Sequence, residues 1–131
     1  MSTLKGLDTW HDFVINKNYE NLSDFIDDDA ILYSPIVFKP IEGSFMVGMY
    51  LMAAAEIIGN GSFKYVREVC DTENAILEFE TEINGITVEG VDMIKFTTEG
   101  KLKEIKVMIR PLKAVNIVHE KMGEYLQKMN S

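Results

Sequence analysis

The chain has too few cysteines and basic residues for several common classes of protein. Cys70 is the only cysteine, which excludes an intramolecular disulfide and fits a reducing compartment. Only 13 basic residues stand against 21 acidic ones, for a net charge of −8. Binding to nucleic acid or to anionic membranes requires basic patches, and this composition argues against both.

Long apolar runs are also missing. The least charged stretch, residues 43–55, is shorter than the roughly 18 apolar residues that indicate a membrane span. The first eight residues lack the apolar run of a secretory signal. A chain of 131 residues is long enough for one hydrophobic core. We therefore expect a single domain over residues 1–131, soluble and cytoplasmic.

Motifs for metals and phosphates are absent from the sequence. The two histidines, His11 and His119, belong to no His-x-x-x-His or Glu-x-x-His pair. The acidic run at residues 27–29 lacks the alternating acids and glycine of a calcium loop, and is typical of a solvated loop. No glycine-rich phosphate-binding motif is present. We expect neither a metal nor an organic cofactor.

Apolar residues at helical spacing predict helices over residues 4–14 and 112–129, and a short one that carries Tyr19, Leu22, Phe25 and Ile26. A further helix over residues 45–58, with Ser44 as its N-cap, is apolar nearly all round and is expected to be buried on most sides.

Alternating patterns predict strands at residues 30–34, 63–70, 75–83, 86–96 and 102–109. Asn84-Gly85 is a strong signal for a two-residue hairpin. The strands share an apolar inner face, whereas Glu78, Glu80 and Glu82 point outward. The prediction is an α+β fold with helices on one face of an antiparallel sheet.

Asp92 is the one acid in an apolar pattern. It shares a strand face with Val88, Gly90, Ile94 and Phe96, so its carboxyl points into a core or a cavity. An ionised carboxylate there is costly unless it has a partner, and a desolvated one tends to keep its proton. Asp92 is therefore either a buried structural hydrogen-bonding group, with backbone amides, Trp10 or a tyrosine as partner, or the polar group of a ligand pocket.

The order and spacing of several short motifs resemble the cone-shaped fold shared by nuclear transport factor 2, the ketosteroid isomerases and the SnoaL-like polyketide cyclases. The resemblance covers nearly the whole chain. It implies helices that close over a strongly curved, mainly antiparallel sheet around an apolar pocket, and it implies a homodimer. The matching residues are Trp10, Asp28-Asp29-Ala30, Ser34-Pro35, Pro40-Ile41-Glu42-Gly43, residues 91–96 and Gly100-Lys101-Leu102.

Ketosteroid isomerases use a carboxylate base before a proline, a tyrosine on the first helix and a protonated aspartic acid on the sheet; the last is a known example of a neutral acid that donates a hydrogen bond. In this chain only the sheet acid is retained, as Asp92. The base position falls on Ser34 and the tyrosine position on Trp10. A serine hydroxyl cannot abstract a proton from carbon without a base of its own, so the resemblance does not imply steroid isomerisation by that route.

Two functions stay open. In the first, a conical pocket binds a small hydrophobic carbonyl compound; if the protein is an enzyme, it is an isomerase, cyclase or lyase without a cofactor. Asp92 and Ser34 are then the candidate catalytic residues, and the candidate ligand contacts are Trp10, Val14, Tyr50, Phe79, Ile94 and Ile109. In the second, Asp92 is structural and the outer sheet face forms a homodimer or binds a protein. A transport adaptor is a third alternative that rests on the shared fold alone.

Overall fold

The computed structural model describes the backbone of residues 2–129 and the side chains of residues 6–129. Within that part, helices pack against one sheet of six strands. The helices are α1 (Ser2–Ile15), α2 (Leu22–Phe25), α3 (Ser44–Ile57) and α4 (Leu112–Met129). The strands are β1 (Ile26–Tyr33), β2 (Ile41–Glu42), β3 (Lys64–Cys70), β4 (Asn74–Ile83), β5 (Ile86–Phe96) and β6 (Leu102–Arg110).

The sheet has the strand order β2-β1-β6-β5-β4-β3. Every neighbouring pair is antiparallel except β1 and β6, which run parallel. The pairing register shifts within the β1–β6, β3–β4 and β5–β6 pairs. Such bulges bend a sheet locally and increase its twist, which explains the curvature. The predicted α+β class with a mainly antiparallel sheet is confirmed.

The period-2 alternation holds along the central strands. In β4 the residues that face the helices are buried, from Ala75 through Leu77 and Phe79 to Ile83, and the glutamates between them are not. In β5 the pattern puts Asp92 on the buried face, where the residue is 8% exposed. The neighbouring strands place Leu77 and Val107 directly beside Asp92. The sheet thus holds one carboxyl among apolar side chains.

Two expectations for residues 19–29 are wrong. The second helix is a single turn, so Tyr19 precedes it and Ile26 begins β1. The acidic run at residues 27–29 lies inside β1 rather than in a loop. The register of β1 against β6 shifts between Ile26 and Ile31, and the backbone N–H of Asp29 donates instead to the Asp27 carboxylate. This local bond provides an acceptor where the ladder is irregular. Asp28 and Asp29 are exposed and Asp27 is half-buried.

The third helix also differs from expectation. Gly43 occupies the N-cap position with a φ of 94°, a conformation that favours glycine, and Ser44 is the first helical residue. Val47 and Leu51 are buried and most other positions are at least half-buried, as expected, but Phe45 in the first turn is 76% exposed. Composition alone does not fix which face is covered, because the packing surfaces come from β1 and α4. The short strand β2 was not predicted, since two residues carry no readable period.

Gly90 is required for the packing of the inner sheet face. It pairs with Phe79 across the sheet, and a Cβ atom at position 90 would overlap the Phe79 ring and lie 2.9 Å from the backbone oxygen of Met108. We expect Gly90→Ala to lower the free energy of unfolding by about 1–3 kcal/mol, measured by urea denaturation.

Gly123→Ala in α4 is the matched control. A Cβ atom there meets no heavy atom within 4 Å, and alanine is the better helix former. This variant should be neutral or slightly stabilising. A Gly90→Ala protein as stable as the parent would contradict the tight packing described for Phe79.

Candidate functional site

A cavity of about 270 Å³ lies between the inner face of the sheet and the helices. Side chains of α1, α3 and α4 form one side, and inward-facing residues of β1, β4, β5 and β6 form the other. Most of the lining is apolar. Val37, His119 and Gly123 line the cavity and are also exposed to solvent, which indicates that they border its opening.

Asp92 is the only carboxyl group in this lining, within the part of the chain that the structure describes. The other polar side chains there are Trp10, Ser34, Tyr50 and His119. Such a site, mostly apolar with a few convergent polar groups, is the usual form of a small-molecule pocket.

Asp92 is held by a tyrosine rather than by backbone amides. The hydroxyl of Tyr65, on β3, donates to Oδ2 of Asp92 at 2.8 Å. The indole N–H of Trp10, on α1, in turn donates to the hydroxyl oxygen of Tyr65 at 2.9 Å. These two bonds join three elements that are far apart in sequence. For Oδ1 of Asp92 the structure gives no partner among the side chains of residues 6–129 or the backbone of residues 2–129.

Burial raises the pKa values of both ionisable groups in this series of hydrogen bonds, Asp92 and Tyr65. Loss of hydration raises the pKa of Asp92 from 3.8 to about 7, and the hydrogen bond from Tyr65 opposes this increase. Burial and the charge of Asp92 raise the pKa of the Tyr65 hydroxyl well above 10.0. Tyr65 therefore stays protonated as a donor, while near neutral pH Asp92 is available both as an acid and as a base.

Ser34 lines the same cavity, but its hydroxyl is already in use. Its Oγ accepts the backbone N–H groups of Ile36 at 2.9 Å and of Val37 at 3.3 Å. These bonds stabilise the turn that follows β1. No ionisable group contacts this hydroxyl in the described part of the chain, so Ser34 lacks the base that would make it a proton acceptor.

Four of the six predicted ligand contacts line the cavity: Trp10, Val14, Tyr50 and Phe79. Ile94 and Ile109 lie outside the lining. Ile94 is 1% exposed and packs in the core with Ala75 and Ile105, its neighbours across the sheet. Ile109 packs in a separate cluster around Val88 and Ile83. Both have the inward orientation that alternation predicts, but other side chains occupy the space in front of them.

Tyr65 is the residue of the site that the sequence did not identify. A tyrosine was one of three possible partners for Asp92, but nothing in the pattern selected this one among five tyrosines. The sequence contains one relevant pattern: Phe63 and Tyr65 are two residues apart, and both point to the side that packs on the core. The partner itself is a tertiary contact over 27 residues.

Neither histidine is hydrogen-bonded to the Asp92 carboxyl in the described part of the chain, although His119 lines the same cavity. His11 forms a 2.6 Å contact with Glu68 at the surface, and its ring lies 5.9 Å from that of Tyr65. Between residues 2 and 129, no three His, Cys, Asp or Glu side chains come together as a metal site would require. No described helix has the length and apolar character needed to cross a membrane.

Comparison with known proteins identifies the fold. No protein-family model and no curated protein sequence matches the chain. A steroid delta-isomerase from Pseudomonas aeruginosa superimposes with a TM-score of 0.91 at 26% identity, over 98% of this chain and 93% of that one. A nuclear transport factor 2-like protein of unknown function from Mesorhizobium loti gives a TM-score of 0.73 at 13% identity, over 84% and 92%. A putative ketosteroid isomerase from Kribbella flavida gives 0.67 at 12%, over 84% and 78%.

The chain has the fold of the nuclear transport factor 2-like superfamily. The predicted resemblance is confirmed, and so is the cone of helices over a curved sheet. The superfamily fold explains how α1, β3 and β5 bring Trp10, Tyr65 and Asp92 together at one wall of the cone.

The raised pKa of Asp92 makes stability depend on pH. Between pH 4 and about 7 the folded protein keeps a proton that the unfolded chain releases, so stability falls as pH rises through this range. Asp92→Asn removes this dependence because the amide is neutral throughout. We expect the variant to be about as stable as the parent at pH 4 and more stable by roughly 2–4 kcal/mol at pH 8, measured by chemical denaturation at both values.

Asp71→Asn is the control. Backbone N–H groups of Glu73 and Asn74 lower the pKa of this exposed aspartate, so it stays ionised over the same range. Its effect on stability should be nearly the same at pH 4 and pH 8. If Asp92→Asn also gave equal differences at both values, the carboxyl would not be desolvated as described.

Proposed function

We propose that this protein binds a small, mostly hydrophobic carbonyl compound in the cone, with Asp92 as the polar contact. The observation that carries the proposal is a buried carboxyl at an apolar cavity, with Oδ2 bonded to Tyr65 and Oδ1 without a partner among the described residues. A buried polar atom that lacks a partner costs free energy, and a ligand atom that pairs with it recovers that cost.

The size of the cavity limits the ligand. An apolar cavity of about 150 Å³ is known to bind benzene. By that comparison, the 270 Å³ available in the cone suits a molecule of one or two rings. A four-ring steroid would have to project through the opening beside Val37 and His119.

The chemistry that fits is proton transfer beside a carbonyl group, in an isomerisation, cyclisation or elimination step. Asp92 would serve as the acid or the base, since its pKa of about 7 keeps both forms available. The standard steroid isomerase route is not proposed, because Ser34 and Trp10 stand at the base and tyrosine positions. The proposed reaction needs no metal or organic cofactor.

A two-ring ketone tests both binding and chemistry. We expect 1-tetralone to bind the parent protein at pH 7, measured by calorimetry, and its exchange of α-protons in D₂O to be accelerated above the buffer rate, measured by NMR. Asp92→Asn should keep binding within about threefold, because the amide can still donate to the carbonyl. It should lose at least roughly 100-fold in exchange, because it cannot transfer a proton.

Ala54→Trp fills the cavity and is the blocking control; it should abolish binding. Absence of binding to the parent protein would contradict the ligand site. Binding without accelerated exchange would mean that the cone holds its ligand without catalysing proton transfer.

We also propose that the outer face of the sheet forms a homodimer. Strand register places five apolar residues next to one another on this face: Val69, Ile76, Met93, Val91 and Met108. Three of them, Val69, Ile76 and Met108, are at least 39% exposed. This outer apolar patch is bordered by the Arg67–Glu78 ion pair and by Lys106 over the Tyr33 ring. An apolar centre with a polar rim is typical of a protein interface.

Charge on the outer apolar patch should break the dimer. We expect the parent protein to sediment as a dimer and the double variant Ile76→Lys, Met108→Lys to sediment as a monomer, because two lysines on each side would be desolvated against each other. Phe45→Lys, an equally apolar but separate exposed position on α3, should remain dimeric. A monomeric parent protein would refute this proposal and leave the ligand site unaffected.

A cytoplasmic location stays a prediction from sequence.

A further inference from the structure

The hydrogen bonds from Trp10 to Tyr65 and from Tyr65 to Asp92 have a fixed direction. An indole N–H is a donor only, so the hydroxyl oxygen of Tyr65 must be the acceptor in the 2.9 Å contact with Trp10. The hydroxyl has a single hydrogen of its own, and Oδ2 of Asp92 at 2.8 Å is the acceptor that the structure gives for it between residues 2 and 129. Oδ2 therefore accepts a hydrogen bond whether Asp92 is ionised or neutral.

This direction determines where a proton on Asp92 can reside. A hydrogen on Oδ2 would point at the hydrogen of the Tyr65 hydroxyl, and if Tyr65 turned that hydrogen away it would lose the one acceptor that the described residues give it. The arrangement that keeps both hydrogen bonds therefore has the hydrogen of neutral Asp92 on Oδ1, the oxygen that no described side chain contacts. Without Trp10, the hydroxyl of Tyr65 is free to turn and accept a hydrogen from Oδ2.

We propose that Trp10 is a positioning residue that acts through Tyr65: it keeps the acidic hydrogen of Asp92 on Oδ1, so that the cavity selects ligands whose polar atom accepts a hydrogen bond, such as a ketone oxygen. The selectivity rests on the proposed ligand site, whereas the position of the hydrogen is a property of the empty protein. Trp10 also packs against Phe13, with ring centroids 5.5 Å apart, which fixes the direction of its N–H.

Few other titratable groups surround Asp92. From β3 the facing group is Tyr65, and Glu68 acts on that hydroxyl while it pairs with His11 of α1. From α3 and α4, Tyr50 and His119 line the same cavity. The neighbours on β4 and β6, Leu77 and Val107, carry no charge. Among the described residues no charged group is bonded to the Asp92 carboxyl itself, so the pKa of Asp92 reports directly on the bond from Tyr65.

The first test measures the pKa of Asp92 in the ligand-free protein by carbon-detected NMR. Trp10→Phe should raise this pKa by roughly half a unit or more, because Tyr65 becomes a weaker donor to the carboxylate and a possible acceptor for the neutral acid. Tyr65→Phe removes the bond that lowers the pKa of Asp92 and should raise it at least as much. Replacement of Trp10 by benzothienylalanine keeps the shape, lacks the N–H and should match Trp10→Phe.

Phe13→Leu is the control for lost aromatic bulk. It lines the same wall and makes no hydrogen bond, so the pKa of Asp92 should stay within about 0.2 units of the parent value. The benzothienylalanine protein also covers the case in which Trp10→Phe does not fold. If Tyr65→Phe raised the pKa and both Trp10 replacements left it unchanged, Tyr65 alone would act and the role of Trp10 would be refuted.

The second test measures selectivity. At pH 5 the parent protein should bind 1-tetralone roughly tenfold more tightly than tetralin, the hydrocarbon of the same shape, because Oδ1–H donates to the ketone. At pH 9 the carboxylate has no hydrogen to donate, and the preference should disappear. The benzothienylalanine protein should retain a preference of about threefold or less at pH 5.

The outcomes separate the two claims. If the parent protein bound neither compound, the proposed ligand site would fail, and the NMR titration would still decide the role of Trp10. If it preferred the ketone tenfold at pH 5 and the benzothienylalanine protein did the same, the ligand site would stand and the inference about Trp10 would be overturned.

Discussion

The candidate site depends on keeping one carboxyl group out of water. Asp92 sits on the inner face of β5 between Leu77 and Val107, and a single side-chain bond from Tyr65 is the polar contact that the described part of the chain gives it. Loss of hydration outweighs that bond, which is why the pKa rises to about 7 rather than falling as in an ion pair. The protein thus keeps an acid that is uncharged over part of the physiological range.

The rest of the fold makes this environment possible. Bulges curve the sheet so that its inner face becomes concave, and Gly90 lets the Phe79 ring lie flat against β5. Three helices close the concave side, and α1 brings the Trp10 N–H to Tyr65. The apolar walls remove water, and the two aromatic donors fix the geometry of the one polar group that remains. A site of this kind recognises a ligand through one hydrogen bond and shape.

The sequence alone predicted the features that depend on the local spacing of apolar residues. The bounds of β5 and α4 agree with the structure, and alternation put Asp92 on the buried face. Prediction from sequence failed where contacts between distant parts of the chain determine the structure. The acids at residues 27–29 lie in a strand because Ile26 before them and Ile31 after them pair with β6. Phe45 is exposed because no described element covers it. Ile94 and Ile109 point inward but lie behind other side chains. Tyr65 meets Trp10 across 55 residues, a contact that no local pattern encodes.

The most direct measurement is a titration of the Asp92 carboxyl carbon by NMR in the parent protein without ligand. A midpoint near pH 7, with the Tyr65 hydroxyl still protonated at pH 10, is the result that a desolvated carboxyl held by a neutral tyrosine requires. A midpoint near 3.8, the ordinary value, would mean that water reaches the carboxylate. The cone would then offer no dry polar contact to a ligand, and the role proposed for Asp92 would be wrong.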